Sequence, residues 1–171
     1  MNNHIWKILG RFALLMALQL LVLNYVYLGG YVMPLLYVLF ILMLPTDTGR
    51  IPMLLISFGT GLLVDIMAGS LGFNALACTV VAMMRILFAD RILTRGEPVV
   101  IRQPSIYSVT PQYFIFYLLL MLGAFYLVFY TSELFGFHGF GSVLLSTICS
   151  TLVTALLAVL YQLIFLKKEE S

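Results

Sequence analysis

Charge is nearly missing from this chain. Of its 171 residues only 9 are Lys or Arg and 7 are Asp or Glu, so charged residues make up 9%. A water-exposed domain carries about 25%, and a soluble globule is excluded. Histidine is reduced to two residues, His4 and His138, at opposite ends of the sequence. Neither has a neighbour that would make a nucleophile–base pair or a metal cluster. The two cysteines, Cys78 and Cys149, lie inside apolar runs and read as small buried hydrophobes. They imply no disulfide framework and no metal spacing. The acidic residues are too scattered for a paired-carboxylate site. A Gly-rich phosphate loop is also lacking, as is a basic aromatic patch for nucleic acid. The sequence thus offers no catalytic, cofactor or metal site, and it is expected not to be an enzyme.

What the chain does have is apolar length. Hydrophobic residues make up 63% of it, and the mean hydropathy is +1.09. A bilayer core takes about 20 apolar residues per helix. Six such runs are expected as transmembrane helices, at 12–28, 31–44, 52–68, 73–89, 113–130 and 143–166. The second is short. Lys7 and Arg11 precede the first run, but Asn24-Tyr25-Val26-Tyr27 is no small-residue cleavage site, so that run is expected to stay as an anchor. With the N-terminus in the cytoplasm, Lys7, Arg11, Arg50, Arg91, Arg95, Arg102, Lys167 and Lys168 all fall inside, and Arg85 lies near the inner end of the fourth span. That is the positive-inside pattern. If the short second run did not cross, Arg50 would move outside. The expectation is therefore an all-α integral membrane protein: one polytopic membrane domain over 1–171, with six crossings and both termini cytoplasmic.

The connections differ in character. Gly29-Gly30 and Gly69-Ser70-Leu71-Gly72 are expected as tight outer turns, where glycine permits left-handed backbone. Thr46 to Arg50 is a short inner turn. The cytoplasmic loop 90–112 carries Pro98, Pro104 and Pro111, which argues against a continuous helix there. It either lies on the inner membrane surface or is solvated. The aromatic loop from Phe135 to Gly141 suits interfacial anchoring. The nine methionines read as filler. Hydroxyls at Ser146, Thr147, Ser150, Thr151 and Thr154 are expected to bond their own backbone or a neighbouring helix.

One residue breaks the apolar pattern in earnest. Asp65 sits inside the third span, and a carboxylate in lipid costs several kcal/mol unless something meets it. Ser57, Gly61, Asp65 and Gly69 recur every four residues, which places them on one helix face. A small face lets helices approach closely. The tight turn brings Asn74, just after it, to the depth of Asp65, just before it. Asn74 can donate its amide to the carboxylate, and the first turn of the fourth helix offers free N–H groups nearby. Asp65 is therefore expected to cap and fix this hairpin. Proton-coupled or substrate-binding work is the sharper alternative. Arg85 lies about eleven residues beyond Asn74, or roughly 16 Å nearer the cytoplasm. That depth argues against an Asp65–Arg85 pair and favours snorkelling of Arg85 to the inner headgroups.

The segment Phe58-x-x-Gly61-Leu62-x-x-x-Asp65-x-x-x-Gly69-x-x-Gly72-x-x-Ala75-Leu76 resembles the signature region of the rod shape-determining membrane protein MreD. Length, hydropathy and span count are similar as well. The resemblance implies a non-enzymatic component of the bacterial inner membrane, without cofactor, in the complex that elongates side-wall peptidoglycan. It implies MreC as a partner, together with a RodA-type glycosyltransferase, a class B penicillin-binding transpeptidase and the MreB filament. It implies a fold similar to the substrate-binding S-components of energy-coupling-factor transporters. Gly61, Asp65, Gly69, Gly72 and Asn74 are the structural or partner-interface candidates. Two functions follow as expectations: a helical adaptor, or a subunit that captures a small vitamin-type molecule for transport.

Overall fold

The computed structural model describes residues 2–21, 32–45, 48–92, 111–133 and 140–165. Among these the chain is all-helical, with six helices in the order α1 (Asn2–Leu21), α2 (Val38–Leu42), α3 (Arg50–Ala68), α4 (Phe73–Ile92), α5 (Pro111–Glu133) and α6 (Phe140–Phe165). The turn at Gly29-Gly30, the tip of the inner turn at Thr46-Asp47, most of the loop 90–112 and most of the aromatic loop with His138 lie outside the described residues.

Helices α3, α5 and α6 are long and apolar enough to cross a membrane, and α4 holds a shorter apolar stretch, Phe73–Leu87. The distribution of side chains fits lipid. Leu55, Leu63, Ile66, Leu76, Ile148, Leu152 and Leu156 point outward, while Gln19, Ser57, Asp65, Asn74, Arg85, Ser150 and Gln162 are buried. Water would reverse that order, since burying polar groups beneath an apolar coat loses both hydration and apolar burial.

Local chemistry explains where the helices begin and end. Pro52 occupies the first turn of α3 and Pro111 opens α5, positions whose missing N–H has no intrahelical partner to lose. Gly69, at φ 66°, ends α3 in the left-handed conformation, and the Ser70 N–H returns to the Asp65 carbonyl at 3.0 Å. Gly72, at φ 94°, sets the entry to α4, and its carbonyl accepts from the Leu76 N–H at 3.0 Å.

Packing runs in chain order, α3 on α4, α4 on α5 and α5 on α6, and α2 touches α1, α4 and α5. The centre of the core is the segment around α2. Every residue from Leu35 to Leu44 is buried, and Tyr37, Val38 and Ile41 are wholly enclosed. Tyr37 meets the Phe125 ring edge-on, with centroids 6.1 Å apart.

This segment departs from expectation. The run 31–44 is not one continuous helix. Residues 33–35 have no regular structure, a turn follows at Leu36–Tyr37, and only five residues form α2. Five residues rise about 7.5 Å, against a bilayer core of about 30 Å. Pro34 supplies part of the reason: it pushes Met33 into extended backbone and brings no N–H. Side chains from other helices supply the rest. We call residues 32–45 the strap.

Candidate functional site

Asp65 stands four residues from the end of α3, 3% exposed, facing the first turn of α4. Its position follows from the small face of α3. A Cβ on Gly61 would meet the Ala75 Cα at 2.5 Å, the Asn74 carbonyl oxygen at 2.6 Å and the Ala75 nitrogen at 2.7 Å. Only glycine lets the start of α4 lie this close to α3. One turn further along the same face, the carboxylate reaches the free N–H groups of α4. Ser57, one turn earlier, is buried with no hydrogen-bond partner for its hydroxyl. It serves this face by its size rather than its polarity.

The carboxylate is fully engaged. Oδ1 accepts from the Asn74 N–H at 3.1 Å, the Asn74 side-chain amide at 2.9 Å and the Ser70 hydroxyl at 2.5 Å. Oδ2 accepts from the Ala75 N–H at 2.8 Å. Asn74 and Ala75 are the second and third residues of α4, the positions an N-capping side chain normally serves. The cap here comes from the preceding helix, across the turn. The positive end of the α4 dipole adds to the attraction. Asn74 has a second use, because its Oδ1 accepts from the Tyr37 hydroxyl at 2.7 Å. The hairpin is thereby tied to the strap.

The strap is held by side chains from four helices. Gln19 of α1 accepts from the Leu36 N–H at 2.7 Å and donates to the Pro34 carbonyl at 3.2 Å. Tyr126 of α5 donates to the Met33 carbonyl at 2.7 Å and accepts from the Leu35 N–H at 2.8 Å. With its one proton spent on Met33, Tyr126 takes a third bond as acceptor from the Thr154 hydroxyl at 2.6 Å. Ser150 of α6 accepts from the Met33 N–H at 3.2 Å and shares a bond with Tyr130 at 2.8 Å. Irregular backbone inside a membrane persists only where protein supplies the missing partners. Gln19, Tyr126 and Ser150 supply them at this end.

Arg85 does the same at the other end, contrary to the snorkelling expected from sequence. It is 2% exposed, and it donates to the Ile41 carbonyl at 2.6 Å and to the Leu44 carbonyl. Those carbonyls end α2, where a helix leaves acceptors free and a cation is favoured. The Tyr117 hydroxyl lies near the guanidinium but outside hydrogen-bond geometry.

Set against known family models, curated proteins and solved structures, the chain matches none.

All five sequence candidates belong to the α3–α4 hairpin. Gly61, Asp65 and Asn74 work inside the chain, while Gly69 is exposed and Gly72 partly so. Gln19, Tyr126 and Tyr37 were not singled out for a role by sequence. Their signal was present as polar groups within apolar runs, but nothing in spacing says that they converge on one segment. Of the α6 hydroxyls, Ser150 and Thr154 bond neighbouring elements as expected, while Thr147 and Thr151 are buried without a partner. Both cysteines are free, Cys78 buried and Cys149 half-buried. Among the described residues no group of His, Cys, Asp and Glu could hold a metal ion.

Proposed function

We propose that this chain is a non-enzymatic adaptor of the bacterial rod complex, an MreD-type protein of the inner membrane that binds MreC. The observation that carries the reading is the saturation of Asp65. The acid inside α3 spends both oxygens on the hairpin's own donors. Such a carboxylate builds shape rather than taking a solute. The burial of the strap supports the same reading, because every residue from Leu35 to Leu44 is enclosed by the other described helices.

In this proposal the chain crosses six times with both termini in the cytoplasm, and the fold is similar to that of energy-coupling-factor S-components. The strap makes the second crossing, which keeps Arg50 on the cytoplasmic side. Partners reach the protein through lipid-facing helices and through the exposed turn at Gly69 and Leu71. A RodA-type glycosyltransferase, a class B penicillin-binding transpeptidase and the MreB filament are further members of the assembly.

Affinity purification from native membranes tests this. The wild type is expected to recover MreC without a stoichiometric small molecule, and Asp65→Ala to recover less and to disturb rod shape. Full MreC recovery and normal shape with Asp65→Ala would remove the hairpin from assembly. A stoichiometric vitamin-like compound in the mass spectrum would replace the adaptor with a capture subunit.

A further inference from the structure

The stretch from Leu35 to Leu44 is bounded by Pro34 and Pro45. It contains no proline and no glycine, and leucine leads its composition. Yet the helix is confined to five residues. Both of its ends are tightened into three-residue bonds: Leu39 N–H to Leu36 carbonyl and Phe40 N–H to Tyr37 carbonyl at 3.0 Å each, and Leu44 N–H to Ile41 carbonyl at 3.4 Å. Such bonds are frequent at helix ends, and they leave the stretch before α2 without helical partners of its own. What holds it is the clamp of Gln19, Tyr126 and Ser150, which takes the backbone groups of Met33 to Leu36. The strap's next residue, Tyr37, bonds Asn74, and Asn74 bonds Asp65.

We propose that the strap is a mechanical link. Its outer half is held in place by the clamp from α1, α5 and α6, and Tyr37 passes any opening of that clamp to the Asp65–Asn74 hairpin. When the clamp opens, Met33 to Leu36 lose their fixed partners, the outer half of the strap shifts, and the Tyr37 hydroxyl leaves Asn74. The Asn74 amide then loses one of its fixed partners, and the turn at 69–72 loosens. Arg85 keeps the inner end of the strap in place, so the movement is confined to the outer half. The link depends on the hydrogen bonds alone and stands whether or not the protein is an adaptor.

Hydrogen exchange read by mass spectrometry on the full-length protein in detergent micelles tests this. Tyr126→Phe removes the hydroxyl, and with it the donor to Met33 and the acceptor for Leu35. Exchange is expected to rise roughly five- to tenfold in residues 33–37, the factor for about one net hydrogen bond. It is also expected to rise in residues 70–75, with α6 unchanged. Gln19→Leu loses both the acceptor for Leu36 and the donor to Pro34. It is expected to give the same pattern, and it serves if Tyr126→Phe does not fold. Asn74→Ala is expected to speed residues 33–37 in return, because coupling is reciprocal. A rise limited to 33–37, no rise, or a uniform rise in all helices overturns the link.

Discussion

Removing the Asp65 carboxylate is the sharpest perturbation of this fold. Asp65→Ala leaves the buried Asn74 and Ala75 N–H groups facing a methyl group, with no water to replace the lost oxygens. A buried donor left unpaired costs about 1–3 kcal/mol. The Ser70 hydroxyl and the Asn74 amide can turn to each other, being already 3.3 Å apart, and add little. The loss is therefore about 3–4 kcal/mol, a large part of a typical stability of ~5–15 kcal/mol. For a chain of this size that lowers the melting temperature by on the order of 10 °C. Asp65→Asn keeps one oxygen but turns an NH₂ toward a donor, so it falls between the two. Thermal unfolding in detergent, followed by circular dichroism, reads the series wild type, Asn, Ala. An Asp65→Ala protein melting within about 2 °C of wild type would refute the cap, because a residue kept only for a ligand or a proton leaves the unliganded fold undisturbed.

Three further outcomes are expected. Gly61→Ala puts a methyl group against α4 backbone at under 3 Å, whereas Gly59→Ala meets nothing within 4 Å; the first should lose about 1–3 kcal/mol and the second should lose none, and equal melting temperatures would contradict the close approach. Arg85→Met strips the Ile41 and Leu44 carbonyls of their donor and should cost about 2–3 kcal/mol, with Arg85→Lys between; a methionine form melting at or above the wild type would deny that Arg85 holds this end of the strap. Leu152, 56% exposed on α6, should face lipid; Leu152→Lys adds about 3 kcal/mol to insertion and should shift protein out of the alkali-resistant membrane fraction while Leu152→Ala does not, and an unshifted lysine form would place that face against something other than lipid.

The α3–α4 hairpin was legible in the sequence because its logic is local. Four-residue spacing put Gly61, Asp65 and Gly69 on one face, and a short glycine turn fixed Asn74 at the same depth. Helices α3 to α6 were legible from apolar length, with ends shifted by a few residues where Pro52 and Pro111 sit comfortably in first turns. The strap was not. Hydropathy reports that a segment tolerates the interior, and it says nothing about what meets its backbone. Pro34 was the one local sign. The side chains that decide the matter come from α1, α4, α5 and α6, and their convergence is a property of the fold. Arg85 was misplaced for the same reason. Its partners are carbonyls at a helix end that the sequence pattern did not reveal.

The strap also constrains how the protein is made. Its donors and acceptors are spread along the chain, from Gln19 upstream to Ser150, 117 residues downstream of Met33. When the ribosome has released the strap, Arg85, Tyr126 and Ser150 are still unsynthesised. The nascent segment cannot sit bare in hydrocarbon, so it must wait beside water or the insertion machinery until α6 emerges. Its seating is the closing act of biogenesis, and a chain cut short before α6 would leave that act undone.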